Sequence, residues 1–410
     1  MERFTGLVGI ILILGIAFLF SNNKKRINLR LVFSGLALQL TIAALVLKVP
    51  AVNSFFQGLG RGMQKLEGFA KEGAGFVYGN LGVFDHTGQV VNYGMGPAFV
   101  FAFNITATII LVCVLVAILY HIKVIQFIVS IVARAMNFVM KVSGAEALSN
   151  VASAFVGQVE AQVMIRAYLP TMTRSELLAS MSGSLACIAG GILIVYANMG
   201  ARPDYLIAAS LMAAPGSLVI SKIVFPETEE SPTMGKVKLD IKSNYTNLVD
   251  AISHGASDGF KIAMNVIAML IGFIALIAMV NWMLGHLYHG LSLDFIFSKL
   301  FYPFAWAMGV PTADVSNAAT LLGQKLTINE FVAFKSLTTG TVNMSTPRGV
   351  AIITVAICGF ANFSSVGMQI GGIGALVPER RGDLAKLGMK ALLCGTLASY
   401  LSATIAGMLI

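Results

Sequence analysis

The segment CGFANFSSVGMQIGGIG, residues 358–374, indicates the fold most directly. It belongs to an apolar stretch of the kind that crosses membranes, yet Asn362, Ser364 and Ser365 interrupt it. Backbone that is released from helical hydrogen bonding cannot face lipid, so such a break must line a cavity inside the protein. The segment therefore predicts a broken membrane helix beside a binding site.

A similar arrangement occurs in the first half of the chain. Residues 147–199 carry Glu160 inside apolar sequence and then a patch of small residues at 187–191. Residues 313–376 likewise carry Glu330 ahead of the break just quoted. Paired, interrupted hydrophobic segments are typical of secondary transporters built from inverted repeats, with the binding site where the halves meet. The pattern predicts one membrane domain of this kind.

Composition excludes a water-soluble fold. Hydrophobic residues make up 57% of the 410 residues and charged residues 11%, whereas an ordinary soluble domain carries about 25% charged residues. The formal net charge is +9, but the basic residues lie at the ends of apolar runs, as the positive-inside rule describes. The positive charge therefore predicts membrane topology, and the lipid bilayer and not nucleic acid as the partner.

Six apolar runs approach or exceed the length of about 20 residues that a membrane-spanning helix needs. They are residues 4–20, 31–47, 97–120, 205–224, 262–286 and 384–410. The basic loop 24–30 is predicted to be cytoplasmic, which places the amino terminus in the periplasm. Residues 124–142 predict a helix along the membrane interface; the alternative is a further short span with Arg134 near its centre.

No metal site, cofactor or catalytic centre is predicted. The four cysteines show no CxxC spacing, and the five histidines do not cluster with acids. A membrane enzyme would need a nucleophile with a paired histidine, a metal cluster or a phosphate-binding loop, and the sequence shows none of these patterns. The most polar stretch, 226–247, is interpreted as a solvated connector. These observations favour a transporter over an enzyme.

The residues inside the interrupted segments suggest the chemistry of the solute. Carboxylates at membrane depth, here Glu160 and Glu330, need partners or a substrate. Amides and hydroxyls are supplied by the neighbouring residues Gln158, Asn329, Asn362 and Ser365. Lys325 is the one basic group beside the two acids. An anionic solute would call for arginines or lysines in the breaks, and these have none. The mixture predicts a neutral, hydroxyl-rich solute.

Three motifs resemble signatures of the concentrative nucleoside transporters. They are GQVEAQ at 157–162, NEFVAF at 329–334 and the quoted segment 358–374. The resemblance implies an all-α integral membrane homotrimer with about eight transmembrane helices, two re-entrant hairpins with tips at 157–160 and 325–330, and an interfacial helix. It also implies an elevator-type motion, in which 143–224 and 313–410 supply the transport-domain halves. Residues 1–142 and 225–312 supply the scaffold, which also takes in part of the last span.

The resemblance assigns site residues in the same way. Gln158 and Glu160 would contact the nucleobase, with Val159 and Ile192 as an apolar wall. The ribose hydroxyls would be held by Glu330, Asn362 and Ser365 of the second half. The aromatic ring of Phe360 would pack near the sugar. A carboxylate that accepts from two vicinal hydroxyls is a favourable charge-assisted arrangement.

The sequence departs from the family pattern at the positions that hold sodium. Sodium-coupled members use an asparagine and a serine side chain where this chain has Ser153 and Cys187, together with the backbone at Val156; Ile188 follows the thiol. Sulfur is a poor ligand for a hard cation. Coupling to H+ is therefore favoured over Na+, with Glu330 preferred to Glu160 as the proton carrier.

Two further departures leave substrate selectivity open. Val159 stands where many members carry a hydroxyl residue, and Gln162 stands where many carry proline. The sequence thus predicts an ion-coupled nucleoside importer of the bacterial inner membrane. The alternatives are a passive facilitator, which would not accumulate its solute, and a permease for a nucleobase or a modified nucleoside.

Overall fold

The computed structural model describes residues 2–78, 101–234, 245–288 and 290–410. Residues 97–100 of the predicted third span and residues 235–244 of the polar connector lie outside this part. Throughout the described part the regular elements are helices. Up to residue 224 they are α1 (Glu2–Leu19), α2 (Leu29–Lys48), α3 (Pro50–Tyr78), α4 (Phe101–His121), α5 (Val124–Met140), α6 (Gly144–Ser153), α7 (Glu160–Val163), α8 (Arg174–Ala186), α9 (Gly190–Asn198) and α10 (Pro203–Val224). Beyond it they are α11 (Leu248–Leu287), α12 (Leu293–Leu300), α13 (Tyr302–Ala307), α14 (Val315–Thr327), α15 (Glu330–Thr338), α16 (Pro347–Ile357), α17 (Phe363–Leu376) and α18 (Arg381–Leu409).

Within the described residues, four helical segments are each long and apolar enough to cross a membrane. They are Leu29–Lys48, Arg174–Asn198, Pro203–Val224 and Pro378–Leu409. The bent pair of α4 and α5 adds a fifth if it counts as one span, and shorter apolar helices occur in α1, α11, α16 and α17. Each of the six predicted runs coincides with a helix over its described residues. The chain is therefore an all-helical membrane protein, and the total of eight spans remains a prediction.

The same order of elements occurs twice. A pair of short helices surrounds a tip, first α6 and α7 and later α14 and α15. A broken helix follows each pair, first α8 with α9 and later α16 with α17, and a long helix ends each half, α10 or α18. The two long helices pack against each other and against both broken helices. The described residues thus carry two interrupted segments in the same order, while the two re-entrant hairpins and the inverted relation of the halves remain predictions.

The helix after α4 turns away from it by 73°. Lys123, between the two helices, has a φ of 64°, a left-handed conformation that prevents a straight continuation. On α5, Val129 is buried whereas Phe127 and Phe138 are exposed. A separate helix with an exposed apolar side is what the interfacial prediction for 124–142 requires. Its position relative to the bilayer remains a prediction.

Polar contacts join elements that are distant in sequence. Lys222 of α10 forms a buried ion pair with Glu146 of α6 at 2.8 Å. Arg380, just before α18, donates from Nη1 to the carbonyl oxygens of residues 169, 170 and 172 at 3.2, 3.0 and 2.8 Å. Its Nε donates to Asp383 at 3.0 Å. Arg380 therefore links the second half of the protein to residues 169–172, which precede α8.

Candidate substrate site

Both halves line a cavity of about 570 Å³, a volume that is ordinary for a small-molecule site. Its walls come from the predicted first tip (157–160), from Asn329 and Glu330 of the predicted second tip (325–330), from both helix breaks, and from residues of α4 and α11. All eight side chains predicted to bind substrate line it, namely Gln158, Val159, Glu160, Ile192, Glu330, Phe360, Asn362 and Ser365. The fold thus brings together residues from four separate parts of the sequence, and their substrate roles remain predictions.

One backbone hydrogen bond joins the two breaks, and a second joins the first break to the segment between α6 and α7. The N–H of Phe360 donates to the carbonyl oxygen of Cys187 at 3.3 Å, and the N–H of Gly190 donates to that of Phe155 at 3.2 Å. Gly359 permits the close approach, because its φ is +147° and a Cβ there would overlap the carbonyl oxygen at the end of α8. The bonds satisfy backbone groups that the breaks release from helical pairing.

Glu330 is held at the first position of α15 by donors from two other elements. Its Oε1 accepts from the hydroxyl of Tyr196 at 3.1 Å, and its Oε2 accepts from Nδ2 of Asn362 at 2.9 Å. The Tyr196 ring stacks on Phe334 with centroids 4.3 Å apart. Each carboxylate oxygen can accept more than one bond, so Glu330 retains the capacity to receive hydroxyl donors from a ligand.

Asn362 and Ser365 begin the second half of the broken helix. The Oδ1 of Asn362 accepts from the Ser365 N–H at 2.8 Å and from the Ser364 hydroxyl at 2.9 Å, which caps α17. The Ser365 Oγ is buried and has no hydrogen-bond partner among the described residues. A buried hydroxyl without a partner costs about 1–3 kcal/mol. A polar ligand in the cavity would supply the missing bond.

The first tip presents Gln158 and Glu160 to the cavity. Gly157 has a φ of +127°, and a Cβ there would lie 2.5 Å from Glu160 Oε2, so glycine is required for this turn. Glu330 is 7% exposed, as an enclosed carboxylate should be. Glu160, by contrast, has an exposed side chain on the open cavity.

The remaining contacts give the cavity a polar acceptor and an apolar wall. Nε2 of Gln158 lies 3.8 Å from the sulfur of Met368, while its Oε1 is buried without a partner in the described structure. Val159 lies against α17, and Ile192 and Phe360 are half-buried in the lining. The arrangement can bind the polar edge of a planar ring beside apolar surface.

The four residues at the predicted sodium positions lie beside or directly behind the first tip. Val156 lines the cavity, whereas Ser153, Cys187 and Ile188 are buried behind it. The Ser153 hydroxyl donates to the carbonyl oxygen of residue 149 at 2.8 Å. The Cys187 sulfur lies 3.8 Å from the carbonyl oxygen of residue 150, and the Ile188 carbonyl accepts from the Ser210 hydroxyl at 3.2 Å. Three of these four residues therefore already contact polar groups of the protein.

Gln162 lies at the centre of a buried network in the same region. Its Nε2 donates to the hydroxyls of Ser149 and Ser184 at 2.9 and 2.8 Å, and its Oε1 accepts from Ser180 at 2.6 Å. Ser184 also bonds to Ser153 at 2.8 Å. The amide thus uses both of its ends to hold α7 against α6 and α8.

Tyr196 is a residue of the site to which we assigned no role from the sequence. It is buried, lines the cavity and binds Glu330 directly. A signal was present, because Tyr196 follows Ile192 by one helical turn and therefore lies on the same face of α9. A tyrosine inside an apolar helix needs a partner for its hydroxyl.

Comparisons with known proteins agree with this geometry. Three family models match, described as Na+ dependent nucleoside transporter N-terminus over residues 8–81, nucleoside recognition over 102–203, and Na+ dependent nucleoside transporter C-terminus over 205–407. The chain is 40% identical to the uncharacterized transporter YutK of Bacillus subtilis, over 99% of both. It is 38% identical to nucleoside permease NupC of Helicobacter pylori, over 98% of this chain and 97% of the relative.

Solved structures extend the likeness to the whole fold. CNTnw in an inward-facing substrate-bound state has a TM-score of 0.92 at 38% identity, covering 100% of this chain and 99% of the other. A CNTnw variant in an outward-facing state has a TM-score of 0.91 at 38% identity, covering 100% and 98%.

The structure combines helices of membrane-spanning length with a polar cavity that lies at two paired helix breaks. This combination defines a secondary transporter and not an enzyme. The similarities are more specific than this class. The chain belongs to the concentrative nucleoside transporter family. Sodium/nucleoside cotransporter 2 of Mus musculus, 35% identical over 100% of this chain and 63% of the relative, also matches. Ion-coupled nucleoside import is therefore the general activity that the similarities support.

Proposed function

We propose that the chain is a nucleoside:proton symporter of the bacterial inner membrane. The choice of H+ over Na+ rests on the side chains and contacts found at the predicted sodium positions. The Ser153 hydroxyl and the Ile188 carbonyl are already hydrogen-bonded within the protein, and Cys187 offers sulfur where a hard cation prefers oxygen. Sodium would meet a thiol at residue 187 and a shorter hydroxyl side chain at residue 153, where sodium-coupled members supply a serine and an asparagine oxygen.

The proposed substrate contacts follow from the polar groups of the cavity. Glu330, Asn362 and Ser365 would bind the ribose hydroxyls, since they form one continuous hydrogen-bonded unit with an unsatisfied Oγ at its end. Gln158 would bind the base edge through its unpartnered Oε1. Glu160 would also contact the base, either directly or through a water molecule. Val159, Ile192 and Phe360 would enclose the ring faces.

Glu330 is the proposed proton carrier. It is enclosed, whereas Glu160 is exposed, so its protonation depends on what occupies the ribose site. A proton and a nucleoside that meet at one carboxyl are necessarily linked in their binding free energies. This arrangement would couple the two fluxes without a separate ion site.

The proposed cycle uses an elevator-type motion within a homotrimer. Residues 143–224 and 313–410 would supply the moving body, and residues 1–142 and 225–312 the scaffold, with the amino terminus in the periplasm. Support for one moving body comes from the backbone bond between Phe360 and Cys187, which joins the halves directly.

Uptake of labelled uridine and adenosine into proteoliposomes tests the proposal, with a proton gradient and a sodium gradient imposed separately. Accumulation driven by the proton gradient alone is expected. The double variant Ser153→Asn with Cys187→Ser, which supplies the oxygen ligands of sodium-coupled members, serves as the matched comparison and should gain a response to sodium. Accumulation by the wild-type chain that requires sodium and ignores a protonophore would refute proton coupling, and equilibration without accumulation would indicate a passive facilitator.

A further inference from the structure

A buried lysine lies next to the site and has no part in the contacts described so far. Lys325, in the last turn of α14, is 0% exposed. Its Nζ donates to the Ala356 carbonyl oxygen at 3.4 Å and lies 6.0 Å from the centre of the Tyr400 ring. Among the described residues it forms no ion pair. Burying an ammonium without compensation is costly, so Lys325 needs a balancing charge.

Glu330 is the carboxylate placed to supply that charge. Lys325 lies in the last turn of α14 and Glu330 begins α15, so only residues 326–329 separate them. Each charge lies at the helix end whose dipole favours it. Of the other titratable groups, Tyr196, Cys358 and Tyr400 lie nearest to the pair, and Glu160, His254 and Asp258 line the same cavity as Glu330. A phenol and a thiol are neutral at pH 7, so the two charges balance each other.

We propose that Lys325 is a positioning residue that acts as the fixed countercharge of Glu330 and keeps proton uptake linked to nucleoside binding. With Glu330 ionised the pair of Lys325 and Glu330 is neutral, and with Glu330 protonated the pair carries one positive charge. A nearby ammonium favours the ionised carboxylate over the protonated one, so Lys325 would promote release of the proton once the nucleoside has left. The inference rests on the proposed role of Glu330 as proton carrier and adds the group that prevents proton leakage.

Two substitutions separate charge from packing. Lys325→Arg keeps the charge, and Lys325→Met keeps an unbranched side chain without it. A gradient of one pH unit at clamped membrane potential drives at most about tenfold accumulation with one proton per nucleoside. Lys325→Arg should accumulate uridine, whereas Lys325→Met should show measurable uridine counterflow with an accumulation ratio near one. Its uridine affinity should also vary less with pH than that of the wild type.

The melting temperatures of the purified variants supply a test that does not depend on transport. Lys325→Met should lower the melting temperature, and Lys325→Met with Glu330→Gln should recover at least half of that loss, because removing both charges leaves neither buried alone. No recovery in the double variant, or wild-type accumulation and pH dependence in Lys325→Met, would overturn the countercharge. Failure of the wild-type chain to respond to a proton gradient would instead refute the proposed function and leave the melting test intact.

Discussion

Substituting Ser365 by alanine separates substrate binding from stability. The Ser365 Oγ is buried without a hydrogen-bond partner among the described residues, so its removal eliminates an unsatisfied polar atom and breaks no protein bond. The backbone N–H of Ser365 still donates to Asn362, so the cap of α17 remains. We therefore expect the melting temperature of the unliganded Ser365→Ala variant to equal or exceed that of the wild type.

Nucleoside affinity should fall in the same variant. A neutral hydrogen bond contributes about 0.5–1.5 kcal/mol, which corresponds to roughly 2- to 13-fold weaker uridine binding. Calorimetry on purified protein with uridine, 2′-deoxyuridine and 3′-deoxyuridine measures this loss. The analogue that lacks the hydroxyl bound by Ser365 should bind equally well to both proteins. Ser364→Ala is the matched control, because its hydroxyl is bonded to Asn362 at 2.9 Å and its loss should lower stability.

Two results would contradict this reasoning. A lower melting temperature for Ser365→Ala would mean that the hydroxyl has a partner within the protein. An affinity loss of the same size for uridine and for both deoxy analogues would mean that Ser365 does not bind a ribose hydroxyl, and would move the sugar to another part of the cavity.

Three other substitutions test the frame that carries the site. Gly359→Ala should prevent close contact between the breaks and abolish uptake. In the control variant Gly367→Ala the added Cβ meets nothing within 4 Å, so the free energy of unfolding should change by less than about 1 kcal/mol. Uptake assays and thermal melting on each variant measure these effects. Arg380→Gln should lower stability by about 1.5–3 kcal/mol, since it loses charged donors to three carbonyls, and unchanged melting would contradict this. Gln162→Leu should lower the melting temperature because it leaves buried serine hydroxyls unpaired, and a rise would show that the network is not stabilising.

The sequence predicts the breaks because their chemistry is local. Asn362 interrupts an apolar run and caps the helix that follows it, and both properties can be inferred from the residues alone. The small-residue patch at 187–191 likewise coincides with the gap between α8 and α9. Glu330 and Asn362 were predicted to share a site, and the structure places them in direct contact at 2.9 Å.

What the sequence does not predict depends on contacts between distant elements. The partnership of Tyr196 with Glu330 requires α9 of one half to meet α15 of the other, and no periodicity specifies that meeting. The exposure of Glu160 depends on the width of the cavity at the first tip. Gln162 differs from the family pattern, but its bonding to serines on two other helices becomes visible only after α6, α7 and α8 are assembled.

The bond from the Phe360 N–H to the Cys187 carbonyl also has a consequence for biogenesis. The donor residue is synthesised long after the acceptor residue has entered the bilayer. During this interval the carbonyl at the first helix break has no donor from the second break. Domains of a growing chain usually fold in order from the amino terminus. In this protein the first binding surface reaches its final form only when the second has been inserted, so a chain truncated before Gly359 should remain a target for membrane quality control.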